Sequence, residues 1–345
     1  MKNDKQKYTG LHICMLVLWG VLFLTGCASM PLALWNDSAP AKKALIDYVK
    51  AVTAKGSSDY IPVDRRVAVF DFDGTLFLET DPTYFDWLLF EHRVLEDPSY
   101  KATDEQLAAA KAGREGKFPK LDKNRERMVS EAYRGLTLEE FDAFVRKFME
   151  LPQAGFTGLK HGDAYYKPMV EVVDYLVRNG FTVYVISGTD RLTVRPLTDK
   201  LNLPSCQVIG SDSTVIASGQ GEKDGLEYTF AKGDVIVLGG KNLVKDLQMN
   251  KVSAIVREIG VQPVLAFGNA LSDASMVNYT IHGNKFKALG IMLLCDDTER
   301  EYGNLAKAEK MRKDCELNGW IPVSMRDDWK TIYGEGVMKN KRAAK

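Results

Sequence analysis

Val67-Ala68-Val69-Phe70-Asp71-Phe72-Asp73-Gly74-Thr75-Leu76 changes character halfway along. Its first four residues are continuously apolar, the pattern of a short strand covered on both faces, as in a parallel sheet. The strand then stops in two carboxylates, a glycine and a hydroxyl. Open α/β sheets place their ligands at the carboxyl ends of the strands, so Asp71, Asp73 and Thr75 stand where chemistry is done. Two acids in a loop also serve as plain turn and cap residues, and the other strands must decide between these readings.

Working outward, Phe181 to Ile186 is a second buried strand and ends in Ser187-Gly188-Thr189; Val264 to Phe267 is a third and ends in Gly268-Asn269, with Asp273 just beyond. Leu289 to Leu294 reads as a fourth, ending at Asp296-Asp297, whose acids have the look of a turn or cap. Helical patterns separate the strands: Ala41 to Lys55, Pro168 to Asn179, a segment from Arg191 interrupted by Pro196, and Val252 to Ile259. Alternation of this kind predicts a doubly wound parallel α/β sheet. Gln207 to Leu238 alternates and carries glycines, which predicts a β-hairpin excursion. Between the first two strands, Leu78 to Gly162 reads as helices only. Thr137 there is an N-cap, and Glu140 completes a capping box.

Parallel strands bring their carboxyl ends to one edge, so these polar groups can converge, and phosphoryl transfer suits them. An aspartate can attack phosphorus and split one hard step into two easier ones. A second carboxyl can protonate the leaving alkoxide and later activate water. Hydroxyls, backbone N–H groups and a lysine can hold the phosphoryl oxygens. Mg²⁺ favours a few hard oxygen ligands with retained waters.

Asp71-Phe72-Asp73-Gly74-Thr75, Ser187-Gly188-Thr189 and Gly268-Asn269-Ala270-Leu271-Ser272-Asp273 resemble motifs I, II and IV of the haloacid dehalogenase-like (HAD) hydrolase superfamily. The helical insertion resembles the C1 cap of its phosphoserine-phosphatase-like branch. The resemblance implies Asp71 as nucleophile and metal ligand. It implies Asp73 as general acid/base, lending its backbone carbonyl to Mg²⁺. Thr75 would position Asp73 and face phosphate, Ser187 and Gly188 would bind phosphate, and Asp273 would support the metal. The family's aspartate after the motif IV glycine is Asn269 here, whose amide oxygen can still ligate Mg²⁺. For the motif III lysine Lys251 fits by spacing, with Lys241 and Lys245 as rivals. Glu79 sits near the glutamate that binds the substrate amine in phosphoserine phosphatases. With Trp87 it is the candidate contact for an amine- or choline-bearing substrate, against a plain packing role for the aromatic residues.

The N-terminus adds a place. Lys2, Lys5 and Lys7 precede an apolar run from Leu11 to Leu24, followed by Leu24-Thr25-Gly26-Cys27. A basic start, a short apolar run and small residues describe an export signal, and the last four residues resemble the bacterial lipobox, with Cys27 lipidated. The organisation expected is a signal at 1–26, a tether at 27–40, a core at 41–77 and 163–335, a cap at 78–162 and a basic, solvated tail at 336–345. The partners expected are a small phosphomonoester and, through Cys27, membrane lipid. Formal net charge is zero over 345 residues, so no basic field points to nucleic acid. Cys206, Cys295 and Cys315 match no zinc spacing, and either one disulfide or three separate thiols fits them. His92, His161 and His282 share no metal-ligand spacing. Two other readings stand beside phosphomonoester hydrolysis: other chemistry of the superfamily, such as phosphotransfer or phosphonate cleavage, and a catalytically weak surface lipoprotein that only binds.

Overall fold

Four apolar residues, Val67–Phe70, form strand β1 and are all buried. Alternation along the strand splits them: Ala68 and Phe70 enter one apolar cluster and Val67 and Val69 the other, so the sheet is covered on both faces. A computed structural model describes residues 31–79 and 83–341. The export signal at 1–26, Cys27, and residues 342–345 of the basic tail lie outside the described residues.

In chain order, helix α1 (Pro40–Thr53) precedes β1 and helices α2 (Phe85–Leu95), α3 (Asp104–Arg114), α4 (Lys123–Glu131) and α5 (Leu138–Met149) follow it. Strand β2 (Phe156–Thr157) and helix α6 (Lys167–Arg178) lead to β3 (Thr182–Asp190), α7 (Arg191–Thr198), β4 (Val208–Ala217) and β5 (Ile236–Val244). Helix α8 (Met249–Ala254), β6 (Leu265–Gly268), α9 (Ala274–Ile281), β7 (Leu289–Leu294), α10 (Leu305–Asn318), β8 (Ile321–Ser324) and β9 (Met338–Lys339) complete the fold. The main sheet has seven strands in the order β5-β4-β3-β1-β6-β7-β8. Every pairing is parallel except β4 with β5. The expected doubly wound α/β sheet is present, and the predicted hairpin is its β4–β5 edge.

Register sets the site. Phe70 is level with Val185 of β3 and Phe267 of β6, and the Phe70 and Phe267 rings stack with centroids 4.1 Å apart. Asp71 donates its N–H to the Phe267 carbonyl at 2.9 Å. The residues that follow on three neighbouring strands therefore leave the sheet at one edge.

The segment expected to be all helical is helical up to Met149, including the Thr137–Glu140 capping box, but its end carries strand β2, which pairs with β9. Helix α4 has no helical pattern to announce it in the sequence, because Lys123–Glu131 carries no apolar stripe and buries Arg125, Met128 and Ser130 instead. Its one sequence mark is Asp122, whose carboxylate accepts the N–H groups of Asn124 and Arg125. The cap is tied to the hairpin through backbone: the Gly135 N–H donates to the Leu238 carbonyl at 2.8 Å, and the Leu238 N–H to the Leu136 carbonyl at 2.9 Å.

Two expected flexible segments are corrected. Within the 27–40 tether, Leu32, Trp35 and Ala39 are buried, the Trp35 ring meets Trp329, and its indole N–H donates to the Pro168 carbonyl at 3.0 Å. Glu171 accepts the N–H groups of Ala33 and Leu34. In the 336–345 tail, β9 pairs with β2, and the Lys339 ammonium donates to the carbonyls of Thr298 and Glu301. Both segments lack apolar periodicity and are held by aromatic edges and backbone bonds. The three described cysteines are separate thiols, with Cys206 exposed. No helix among the described residues is long and apolar enough to cross a membrane.

Candidate active site

Beyond β1 the chain turns tightly, and Gly74 takes a positive φ of +81° to do so. A Cβ there would overlap the side-chain nitrogen of Asn269 and lie 2.8 Å from a Glu79 oxygen. Only glycine satisfies both demands. The turn leaves Asp71 and Asp73 in a cleft also lined by Glu79, Tyr84, Thr189 and Lys245. Leu121, Lys245 and Leu247 lie at the junction of this cleft with a wider groove between α4 and β5.

Of the three candidate lysines, Lys251 is the one that reaches Asp71. It is fully buried, its ammonium 2.5 Å from Asp71 Oδ1 and 2.8 Å from Asp273 Oδ1, and it donates to the Ile186 carbonyl at 2.7 Å. Burial works against this ammonium, but Asp273 and Asp71 raise it above the ordinary lysine range. Burial and the Asp273 charge push Asp71 upward, and Lys251 pulls it back. Of the rivals, Lys245 pairs with Glu126 at 3.0 Å at the cleft wall, and Lys241 is exposed.

Asp73 is in a different situation. The Thr189 hydroxyl donates to its Oδ2 at 2.7 Å, and its Oδ1 is buried with no hydrogen-bond partner among the described residues. Burial and the neighbouring Asp71 raise its carboxyl well above the usual range. Both carboxyls are thus raised, and of the two only Asp71 has an ammonium against it.

Several expected roles are corrected. Thr75 is fully buried and points its hydroxyl to Asp71 Oδ2 at 3.3 Å and Asn269 Oδ1 at 3.5 Å, so it neither positions Asp73 nor faces the cleft. That task falls to Thr189. Ser187 is also fully buried and accepts the Thr189 N–H at 3.0 Å, while Gly188 and Thr189 line the cleft. Asp273 turns inward and does not line the cleft: Oδ2 accepts the N–H groups of Asn269 and Ala270, and Oδ1 lies 2.8 Å from the Lys251 ammonium. Trp87 is fully buried in the cap, donates to Glu91 at 2.7 Å and lies under Arg125, so it is not a substrate contact. Glu79 reaches the site but already accepts from Tyr84 at 3.0 Å, Asn269 at 2.9 Å and Lys307 at 3.2 Å. Its carboxylate is therefore not free for an amine. Lys307, on α10, was invisible in the sequence, lying 228 residues from Glu79 on a helix without an apolar stripe.

The donor set fits a hard divalent ion. Asp71 Oδ2 and Asn269 Oδ1 face the same Thr75 hydroxyl, so the two oxygens converge. The surroundings hold the carboxyls of Asp71, Asp73, Glu79 and Asp273 against the ammoniums of Lys251 and Lys307. Among the described residues no three His, Cys, Asp or Glu side chains form a closed cage. Mg²⁺ usually keeps several waters and takes one or two carboxylates, which is what this site offers.

The haloacid dehalogenase-like hydrolase family matches residues 68–278. No curated protein matches the chain. Among solved structures, a conserved functionally unknown protein from Anaerococcus prevotii DSM 20548 is similar at 13% identity and TM-score 0.50, covering 82% of this chain and 91% of that one. A protein with unknown function from Bordetella pertussis Tohama I is similar at 12% identity and TM-score 0.48, covering 75% and 98%. Cytosolic 5'-nucleotidase IIIB bound to cytidine is similar at 15% identity and TM-score 0.48, covering 84% and 87%. At these identities the first of the three speaks for a shared fold alone.

Proposed function

The chain belongs to the haloacid dehalogenase-like hydrolase family, and from that premise we propose that it hydrolyses phosphomonoesters through an aspartyl-phosphate on Asp71. One observation carries the reading. The Asp71 carboxyl lies against the Lys251 ammonium, while burial and Asp71 raise Asp73 beside it well above the usual range and leave one of its oxygens without a partner among the described residues. Such a pair supplies nucleophile and acid together.

A carboxylate oxygen of Asp71 forms the bond to phosphorus as the ester oxygen leaves, and Asp73 gives that oxygen its proton. The product alcohol departs. Asp73, now a carboxylate, takes a proton from water, whose oxygen attacks phosphorus and breaks the bond to Asp71. Phosphate leaves, Asp71 is restored and Asp73 is again protonated. The Gly188 and Thr189 backbone would face the phosphoryl oxygens, with the Lys251 ammonium behind Asp71. The residues that would hold Mg²⁺ are Asp71, Asn269 and the Asp73 carbonyl, and when bound the ion would supply positive charge that stabilises the phosphoryl oxygens.

Phosphate release from p-nitrophenyl phosphate tests the reading. Activity that needs Mg²⁺ and disappears in Asp71→Asn supports it, and a panel of metabolites that releases no phosphate sinks it. Export and lipid anchoring belong to the same proposal and rest on Leu24-Thr25-Gly26-Cys27. Cys27→Ser should move the protein out of the membrane fraction.

A further inference from the structure

An asparagine side chain presents an oxygen at one end and an N–H donor at the other, and only the oxygen can ligate a hard cation. Which end faces the ion is decided by what the other end meets. In this chain the Asn269 amide nitrogen meets Glu79 Oε2 at 2.9 Å, and a carboxylate oxygen accepts hydrogen bonds. The amide oxygen is thereby turned toward the Thr75 hydroxyl and Asp71. Glu79 is itself fixed, by Tyr84 on one oxygen and by the Lys307 ammonium at 3.2 Å on the other.

We infer that Glu79, held by Lys307, is a positioning residue that aims the amide oxygen of Asn269 at the metal position. The inference rests on the metal-dependent reading above. It assigns Glu79 no contact with substrate. It also accounts for an uncharged residue at this place: with Glu79 directly behind it, an aspartate at 269 would set two carboxylates in hydrogen-bond contact with no proton between them. Lys307 offsets the Glu79 charge, so the buried carboxylate can hold the amide without drawing the ion to itself.

Mn²⁺ titration of the full-length protein by electron paramagnetic resonance tests this with the chemistry switched off. Glu79→Gln can present its own amide group to Asn269 and let it turn over, so Mn²⁺ affinity should fall about ten- to a hundredfold. In the Asn269→Asp background both ends of residue 269 are oxygen, and the same Glu79→Gln change should cost about threefold or less. Equal losses in the two backgrounds would show that Glu79 acts through its charge alone and would overturn the inference. Wild-type protein that binds no Mn²⁺ would overturn the metal-dependent reading together with it. If Glu79→Gln does not fold, a crystal structure of the wild type with Mn²⁺ decides: Asn269 Oδ1 on the ion is expected, and Glu79 on the ion overturns the inference.

Discussion

The hydroxyl of Thr189 stands 2.7 Å from one oxygen of Asp73, and the other oxygen of that carboxyl is buried without a partner among the described residues. Hydrogen bonding to a carboxylate favours its charged form, and Thr189 is the main group opposing the rise caused by burial and Asp71. Asp73 must be protonated to serve as acid, so activity on substrates with poor leaving groups should fall as pH rises through its pKa, and it should fall at low pH as well, where the raised Asp71 carboxyl takes up a proton. Thr189→Val removes the opposing bond and should move the first of these falls to higher pH. A pH profile of kcat/KM that does not move, or moves down, would count against Asp73 as the acid.

Lys251 is enclosed by Asp71, Asp273 and the Ile186 carbonyl. Lys251→Met should abolish phosphate release. It should also destabilise the fold by about 3–5 kcal/mol, because two buried carboxylates lose their ammonium. Adding Asp71→Asn should recover part of that stability but no activity. Urea denaturation of the single and double variants checks the order.

How far the sequence was readable follows from which contacts are local. Asp71, Asp73 and the ends of β3 and β6 follow short apolar runs, so their common edge was predictable from alternation alone. The capping box at Thr137 was readable for the same reason. Thr75 was misjudged because its neighbour in sequence is Asp73, whereas the turn at Gly74 carries its hydroxyl to Asp71. Trp87 and Glu79 lie eight residues apart in sequence and suggested one cation site. In space Trp87 packs against Phe90 and under Arg125 inside the cap. Lys307 and the buried Trp35 depend on contacts across more than a hundred residues, and their own segments show no periodic stripe.

Gly74→Ala should inactivate the protein. The positive φ alone costs about 1–2 kcal/mol for a residue with a side chain, and the new carbon would push on Asn269 and Glu79. Phosphate release should fall at least about tenfold, with a lowered melting temperature; an alanine variant of full activity would refute this account of the turn.

His161 is buried, stacks on Phe148 at 4.3 Å and leaves Nδ1 without a partner among the described residues. Burial, with smaller effects from His92 and Arg114, lowers it from 6.5 to about 4. Above pH 6.5 the ring is neutral folded and unfolded alike. As pH falls toward 4, the unfolded chain takes up a proton that the folded one refuses, so stability is lost over that window, by about 3 kcal/mol. His161→Phe keeps the stack and should flatten this loss. Denaturation curves of both proteins at pH 7 and pH 4 would measure the difference, and equal acid sensitivity would exclude His161 as its source.

The bonds between Gly135, Leu136 and Leu238 join the cap to the β4–β5 edge of the sheet. Swinging the cap outward as a rigid body would unzip them or pull that edge along. The cleft that holds Asp71 also meets the groove between α4 and β5 along Leu121, Lys245 and Leu247. For a hydrolase built this way, a substrate that enters along that groove would be sorted by its width and charge without the cap having to swing.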